Sequence, residues 1–398
     1  MITLREITEA RGRLRPVIRP TPVVPSDALG RLTGRPVLLK PEHVQRTGSF
    51  KVRGAYNFVS RLEAGTPVVA ASAGNHAQGV ALAAGLTGRR AVIFMPAAAP
   101  LPKVEATRSY GAEVHLEGEA VDDCMRLAAD HAAATGAVYV PPFDDPLVIA
   151  GQGTIGLELA EEAPGMAVAL VPVGGGGLIA GVATALAHTA RSVRVVGVQA
   201  AGADAVVQSL RAQHRVTLPR VGTMADGIAV SAPSELTLAH IRAYVDDVVT
   251  VTDEEISQAV LLLIERTKAV VEPAGAVGVA ALLAGKVAAP GPAVAVLSGG
   301  NVDPLLLTRL IDHGLSAAGR YLLLRIVLPD HPGALASLTG GVARMGLNVL
   351  SVEHRRAGAR VGVDEVEVFL TLETRDPAHR ESVAASLAEA GFRVELLA

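Results

Sequence analysis

Short apolar runs alternate with stretches of helical apolar periodicity along most of this chain. Residues 37–40, 68–71, 91–95, 113–116, 138–140, 168–173, 193–198, 247–251 and 293–297 read as strands. Between them, 1–14, 77–84, 102–110, 119–135, 150–162 and a segment reaching about His188 read as helices. Thr252-Asp253-Glu254-Glu255 opens another helix as a capping box, Pro273 interrupts a helical stretch, and 200–233 reads as irregular. Strand–helix alternation of this kind predicts one doubly wound α/β core on a parallel sheet.

Near Gly319 the pattern changes. Residues 320–328 alternate as a strand, Asp330-His331-Pro332-Gly333 is a turn, and 334–345 is amphipathic. Strands follow at 348–354 and 364–373, then a helix at 377–390 and a strand at 392–397. This βαββαβ order predicts a small ferredoxin-like α+β domain at 319–398, behind a catalytic domain at 1–318.

Composition narrows the function. A chain of 398 residues, 50% hydrophobic and 19% charged, is long enough for two to three units with large cores. Aromatics are 3%, Trp is absent and the formal charge is −3, so no nucleic acid partner is expected. The longest apolar run, 167–187, carries Pro172 and five glycines, which suits a strand, a turn and a helix better than a membrane span. Cys124 is the sole cysteine, and residues 1–15 lack the apolar core of a signal peptide. A soluble, cytoplasmic protein is expected, with no membrane partner.

Four turns carry candidate chemistry. Lys51 is one of only 5 lysines against 31 arginines. It follows Thr47-Gly48-Ser49, a turn that also reads as a helix N-cap, and Phe50. The positive helix end and desolvation by Phe50 both favour a neutral amine able to form a Schiff base, although from these residues alone an exposed lysine on an ordinary amphipathic helix reads at least as well. Gly174-Gly175-Gly176-Gly177-Leu178, between a strand and a helix, reads as a phosphate cradle. Its register also fits a dinucleotide fingerprint, but the next strand ends in Gln199 and Ala200 rather than an acidic residue. Ser72-Ala73-Gly74-Asn75-His76 offers backbone donors to a carboxylate and the Asn75 amide to a phenolic oxygen, although a plain N-cap reads equally well. Ser298-Gly299-Gly300-Asn301 is a third strand-end turn with the same ambiguity. No Cys/His metal cluster is present in the sequence, so no metal is expected.

An amine, a phosphate cradle, a carboxylate nest and a hydroxyl-bearing turn together describe a pyridoxal phosphate site. Lys40-Pro41-Glu42 and Gly48-Ser49-Phe50-Lys51-Val52-Arg53-Gly54-Ala55 resemble the lysine box of the fold type II pyridoxal phosphate family. Ser72-Ala73-Gly74-Asn75-His76-Ala77-Gln78-Gly79, Gly151-Gln152-Gly153-Thr154-Ile155, the 174–178 loop, Ala225-Asp226-Gly227 and Ser298-Gly299-Gly300-Asn301 are similar in order and spacing to threonine dehydratases. The likeness spans about 7–315. Leu328-Pro329-Asp330-His331-Pro332-Gly333 and Gly346-Leu347-Asn348-Val349 resemble a regulatory ACT domain.

The resemblance implies a tryptophan synthase β-like fold of two parallel-sheet α/β subdomains, with 55–139 the smaller and mobile one. It implies that Lys51, beside Phe50, holds pyridoxal 5'-phosphate covalently and then serves as the base for the α-proton. Asn75 would bond the phenolic oxygen, 174–178 the phosphate and Ser298 the pyridine nitrogen, while Ser72, Ala73, Gly74, Asn75 and His76 would hold the substrate. A neutral serine at the ring nitrogen favours elimination over a long-lived carbanion. Metal-binding racemases of the family carry acidic residues at the positions of Gln199 and Ala205, and a serine at that of Ala73. The expected reaction is deamination of L-threonine to 2-oxobutanoate and ammonia, with L-serine secondary. The rivals are a serine racemase, a dehydratase of another β-hydroxy amino acid, and a regulator that binds amino acids without catalysis. A homodimer or homotetramer is expected, with a branched-chain amino acid effector at Asn348 and Asp330 in support.

Overall fold

The structure, a computed structural model, describes residues 1–288, 290–356 and 362–397. They divide into two compact units, Met1–Leu306 and Leu307–Ala398. The helix Pro304–Ala317 straddles that division, so the second unit begins ahead of the 319 expected from sequence.

In the first unit the strands are β1 (Val24–Pro25), β2 (Val37–Lys40), β3 (Val68–Ala71), β4 (Ala91–Met95) and β5 (Glu113–Leu116). They continue with β6 (Val138–Tyr139), β7 (Val168–Pro172), β8 (Arg194–Ala200), β9 (Asp247–Val251) and β10 (Ala293–Val296). Alternation alone suggested one core, but these strands build two sheets, ordered β1-β2-β10-β7-β8-β9 and β5-β4-β3-β6. The reason is pairing: β3 to β6 bond only among themselves, so the chain leaves the larger sheet after β2 and returns at β7. Among the described residues, only the β1–β2 pairing is antiparallel in these two sheets. β3, β4, β7 and β10 are buried along their whole length, as parallel strands covered by helices on both faces are.

The pairing of β2 with β10, from Val37 opposite Ala293 to Lys40 opposite Val296, decides the geometry of the site. Parallel strands end on the same side, so the turn after β2 and the turn after β10 become neighbours. Ligands bind at that carboxyl edge in open α/β sheets.

The helix Lys51–Val59 lies against the helix Pro146–Glu162. A Cβ on Gly151 would stand 2.5 Å from Arg53 O, so only glycine lets the two backbones touch there. Gln152 Oε1 accepts from Gly54 N at 3.2 Å. The Gly-Gln-Gly-Thr motif therefore serves as the seat of the lysine helix.

Several boundaries differ from the periodicity reading, each for a local reason. Pro146–Glu162 starts ahead of residue 150 because Asp145 caps it, accepting from Leu147 N at 2.7 Å, with Pro146 next in line. Pro273 is not an interruption; it begins the helix Pro273–Leu283, after a π-helical turn Leu263–Thr267. The 200–233 stretch, read as irregular, contains the helix Ala205–Ala212. Gln199 starts it: Oε1 accepts from Val206 N at 3.1 Å and Val207 N at 3.0 Å, a tertiary cap that the local pattern does not reveal. Asp27–Thr33 and Pro304–Ala317 are further helices that the pattern left unassigned.

The second unit is an antiparallel sheet, β12-β13-β11-β14, built from β11 (Tyr321–Pro329), β12 (Val349–Arg355), β13 (Glu365–Glu373) and β14 (Arg393–Leu396). Leu322, Leu324, Ile326 and Leu328 alternate along β11 and pack with Leu338, Val342, Val383 and Leu387 of the helices Ala334–Arg344 and Pro377–Glu389. β12 is an edge strand, exposed along nearly its whole length, with Leu350 and Val352 open to solvent.

Candidate active site

Lys51 is placed by a turn stitched to the far end of the core. Thr47 and Gly48 both have positive φ, 64° and 68°, and reverse the chain after β2. Phe50 N then donates to Ser298 O at 3.1 Å, and Gly300 N to Gly48 O at 2.9 Å. Asn301 Nδ2 donates to Thr47 O at 2.7 Å. The expected side-chain cap does not form. Ser49 is extended and its buried Oγ has no partner among the described residues, so the helix begins at Lys51 behind an uncapped Phe50. The reason is that Ser49 is drawn into a bridge with Gly299.

One cleft of about 1320 Å³ gathers Phe50, Lys51, Ser72, Ala73, Gly74, Asn75, His76, Gly174, Gly175, Gly176, Gly177, Leu178 and Ser298. The glycine loop lies between β7 and the helix Gly177–Thr189, with Gly176 at φ 93°. A Cβ on Gly177 would lie 2.8 Å from Phe143 Cβ, and one on Gly176 would lie 3.0 Å from Thr237 Cβ and Ile241 Cδ1. A Cβ on Gly175 would collide with the Phe143 ring. Thr237 Oγ1 braces the loop by donating to Gly175 O at 2.7 Å. The loop thus presents bare backbone at an open helix N-terminus, where N–H groups favour an anion.

Across the cleft, Gly74 N donates to Ser72 Oγ at 3.1 Å, and the helix Asn75–Leu86 begins. His76 turns away from catalysis: it is buried, and Nε2 lies 2.8 Å from Val140 O. Burial and the charge of Lys51 push its pKa down to about 3, so the ring is neutral. Asn75 instead meets other side chains. Its Nδ2 donates to Glu272 Oε1 at 2.7 Å, and its Oδ1 accepts from Asn301 Nδ2 at 2.7 Å.

Electrostatics separate the groups further. Lys51 Nζ donates to Pro142 O at 3.1 Å and sits 5.4 Å from the centre of the Phe50 ring. Burial lowers its pKa to about 8, against the charge of Glu272. Glu272 is raised to about 7 by burial and by Asp226. Lys103 pairs with Asp226, and both line the cleft. Sequence reasoning missed Glu272, Lys103 and Phe143. The one available signal for Glu272 was an acidic residue directly before Pro273 in an apolar stretch.

Pyridoxal phosphate fits this set. An amine that is partly neutral near pH 8, a glycine cradle with no room for side chains, and a 3% exposed Ser298 all face one cleft. Among the described residues no group of three or more His, Cys, Asp or Glu could hold a metal ion. At the end of β8 the Gln199 amide bonds backbone on both sides, donating from Nε2 to Ala203 O at 3.0 Å while Oε1 receives Val206 N and Val207 N. No helix of the described residues is long and apolar enough to cross a membrane.

In the second unit Asn348 and Asp330 are both exposed but not together. Asn348 precedes β12 and donates to Glu373 at 3.3 Å, beside Arg320, Arg375 and His379 in a cavity of about 510 Å³. Asp330 follows β11 at the opposite end of the sheet, 3.4 Å from Arg356. Within one copy they cannot hold the same small ligand.

Residues 14–299 match the family model described as "Pyridoxal-phosphate dependent enzyme", and 322–390 match that of the ACT domain. The chain is 47% identical to an L-threonine ammonia-lyase of Thermotoga maritima, over all of both chains. Among solved structures it resembles a processed threonine deaminase of Solanum lycopersicum, at 37% identity and TM-score 0.74, covering 78% of this chain and 87% of that one. It also resembles maize serine racemase, at 36% identity and TM-score 0.74, covering 79% and 98%. With a lysine, a glycine cradle and a serine converging on one cleft at the edge of two parallel sheets, this chain belongs to the fold type II family of pyridoxal-phosphate dependent enzymes and carries a C-terminal ACT domain.

Proposed function

We propose that the chain deaminates L-threonine to 2-oxobutanoate and ammonia, with L-serine as a slower substrate, in the cytoplasm. The observation that carries this is Lys51: an amine with pKa near 8, in a cleft that the glycine cradle also lines. The likeness to an L-threonine ammonia-lyase along the whole chain supports the choice of substrate. The lone Cys124, buried and in no disulfide, suits a reducing compartment.

Residues 174–178 would hold the cofactor's phosphate, Ser298 its ring nitrogen, Asn75 its phenolic oxygen and Lys51 its carbonyl carbon. Bound there, pyridoxal phosphate supplies the electron sink that makes the substrate's α-hydrogen acidic. The 72–76 turn receives the substrate carboxylate on its backbone N–H groups. Lys51 Nζ takes the α-proton, for which its lowered pKa leaves part of the amine free near neutral pH. The β C–O bond then breaks with its electron pair on oxygen, which takes up a proton and leaves as water. The enamine regains one water on hydrolysis, so threonine yields 2-oxobutanoate and ammonia in balance. Lys51→Ala should lower 2-oxobutanoate formation by at least ~10⁴-fold, because it removes the base and the covalent anchor together. Near-normal turnover in that variant would sink the assignment. Steady-state rates for a panel of β-hydroxy amino acids test the choice of threonine.

The ACT unit would couple this activity to a second copy. The open edge of β12, with Leu350 and Val352 exposed, is a template for pairing with itself. Antiparallel pairing of two β12 strands brings the Asn348 end of one copy to the Asp330 end of the other. That arrangement would let both residues contact one branched-chain amino acid at a dimer edge, within a homodimer or homotetramer.

A further inference from the structure

Glu272 has no structural duty that requires a carboxyl group. Its backbone N–H donates to Gly299 O at 3.0 Å, and its side chain makes no cap bond to the helix it precedes. Yet the side chain is turned into the cleft at only 3% exposure. Room for it depends on a glycine, because a Cβ on Gly299 would collide with Glu272 Oε1 and stand 3.0 Å from Asn75 Nδ2.

What Glu272 touches there is Asn75. One amide hydrogen of Asn75 Nδ2 goes to Glu272 Oε1, at 2.7 Å. Asn301 holds the other end of that amide, donating to Oδ1 at 2.7 Å while Thr47 O holds Asn301 at 2.7 Å. An amide with an acceptor at its nitrogen and a donor at its oxygen has a single favourable orientation. Its nitrogen carries two hydrogens, so one remains for a ligand of the cleft that Asn75 lines.

We propose that Glu272 is a positioning residue for the cofactor: with Asn301 it locks the Asn75 amide so that the remaining N–H meets the phenolic oxygen of pyridoxal phosphate. The inference rests on the reading of Asn75 as the partner of that oxygen. On the phenolic oxygen Glu272 acts only through Asn75, whose amide it holds. A neutral amide acceptor at this position serves as well as a carboxylate, because the bond runs from Asn75 to an oxygen.

The holoenzyme variants Glu272→Ala, Glu272→Gln, Asn301→Ala, Asn75→Ala and Glu272→Ala/Asn75→Ala test it. Two quantities are read: the absorption spectrum of bound cofactor, and its dissociation constant by titration into stripped protein. An N–H donor favours the ionised phenolic oxygen, so losing or misaligning it should move absorbance from the visible band to the near-ultraviolet one. Glu272→Ala and Asn75→Ala should both show that shift, with cofactor binding weakened about five-fold, as for one hydrogen bond of about 1 kcal/mol. Glu272→Gln should restore both quantities, and the double variant should be no worse than Asn75→Ala alone. If Glu272→Ala does not fold, Asn301→Ala carries the same comparison, since it frees the same amide. A wild-type spectrum in Glu272→Ala beside a shifted one in Asn75→Ala overturns the role of Glu272 and spares that of Asn75. Unchanged spectra in both overturn the reading of Asn75 and the inference with it.

Discussion

Arg53 Nη2 lies 2.8 Å from Glu42 Oε1, and solvent reaches neither side chain. Arg53 Nε also donates to Glu42 Oε2 at 2.8 Å, which makes the pair bidentate. Glu158 closes the other side of the guanidinium, with Nη1 2.6 Å from its Oε1, and buried Lys40 sits 2.7 Å from Glu158 Oε2. Arg53 lies on the first turn of the helix that Lys51 opens, so this ionic knot ties that helix to the strand end at Lys40 and to the helix Pro146–Glu162. Arg53→Met would leave Glu42 charged, buried and unmatched, a situation that costs about 3–5 kcal/mol. Urea unfolding should show that loss, and Glu42→Gln, which keeps an acceptor, should lose less. Equal midpoints for wild type and Arg53→Met would remove the knot from the account of stability.

Two buried groups should give the cofactor-free protein opposite pH dependences. His76 has a pKa near 3 in the fold against 6.5 unfolded, so the unfolded chain takes up a proton that the fold refuses. Its contribution is complete above 6.5 and is lost as pH falls towards 3. Glu272, raised from 4.5 to about 7, keeps a proton that the unfolded chain releases. Its contribution is complete below 4.5 and is lost as pH rises through 7. Glu272→Gln should therefore stabilise more at pH 8 than at pH 5, in unfolding free energies measured at both. A pH-independent difference would contradict the burial of an ionisable carboxyl there.

Ala73 predicts a lyase with negligible racemase activity. Racemisation removes a proton from one face of the α-carbon and returns one to the other. Lys51 serves the face it reaches, and the half-buried methyl of Ala73, between Ser72 and Gly74, has no proton to give. His76 is no substitute, since its Nε2 is held at Val140 O and it stays neutral. Incubating L-serine with the enzyme should yield ammonia without D-serine by chiral chromatography. Ala73→Ser should raise the D-serine share, and comparable rates of both products in the unaltered enzyme would refute the argument.

The ACT edge predicts a regulatory response that needs two residues far apart in one copy. Isoleucine or valine should shift the half-saturation for threonine by the equivalent of ~1–3 kcal/mol of coupling. Asn348→Ala and Asp330→Ala should each weaken that shift while basal turnover stays. A response that survives deletion of everything after Gly319 would place the sensor elsewhere.

Local pattern was enough to set most of the elements and most of the turns that reach the cleft, but not the helices Asp27–Thr33, Ala205–Ala212 and Pro304–Ala317. Residues 37–40, 68–71 and 91–95 were legible to the residue, because each is an apolar run too short for a helix and bounded by polar or Pro positions, while 113–116, Glu-Val-His-Leu with no buried position, was legible from its place in the strand–helix alternation. Lys51, the four glycines and Ser298 were legible as candidates because each sits in a local turn of unusual composition. How those turns combine belongs to the folded chain alone. That β2 pairs with β10, and that β3 to β6 form a sheet of their own, depends on strand order, which no local period records. From that order follow the seam between Thr47 and Asn301, the grip of Glu272 and Asn301 on Asn75, and the loss of the expected Ser49 cap. The pKa values follow too, since the titration of Lys51, His76 and Glu272 is set by burial among residues remote in sequence rather than by their neighbours along the chain.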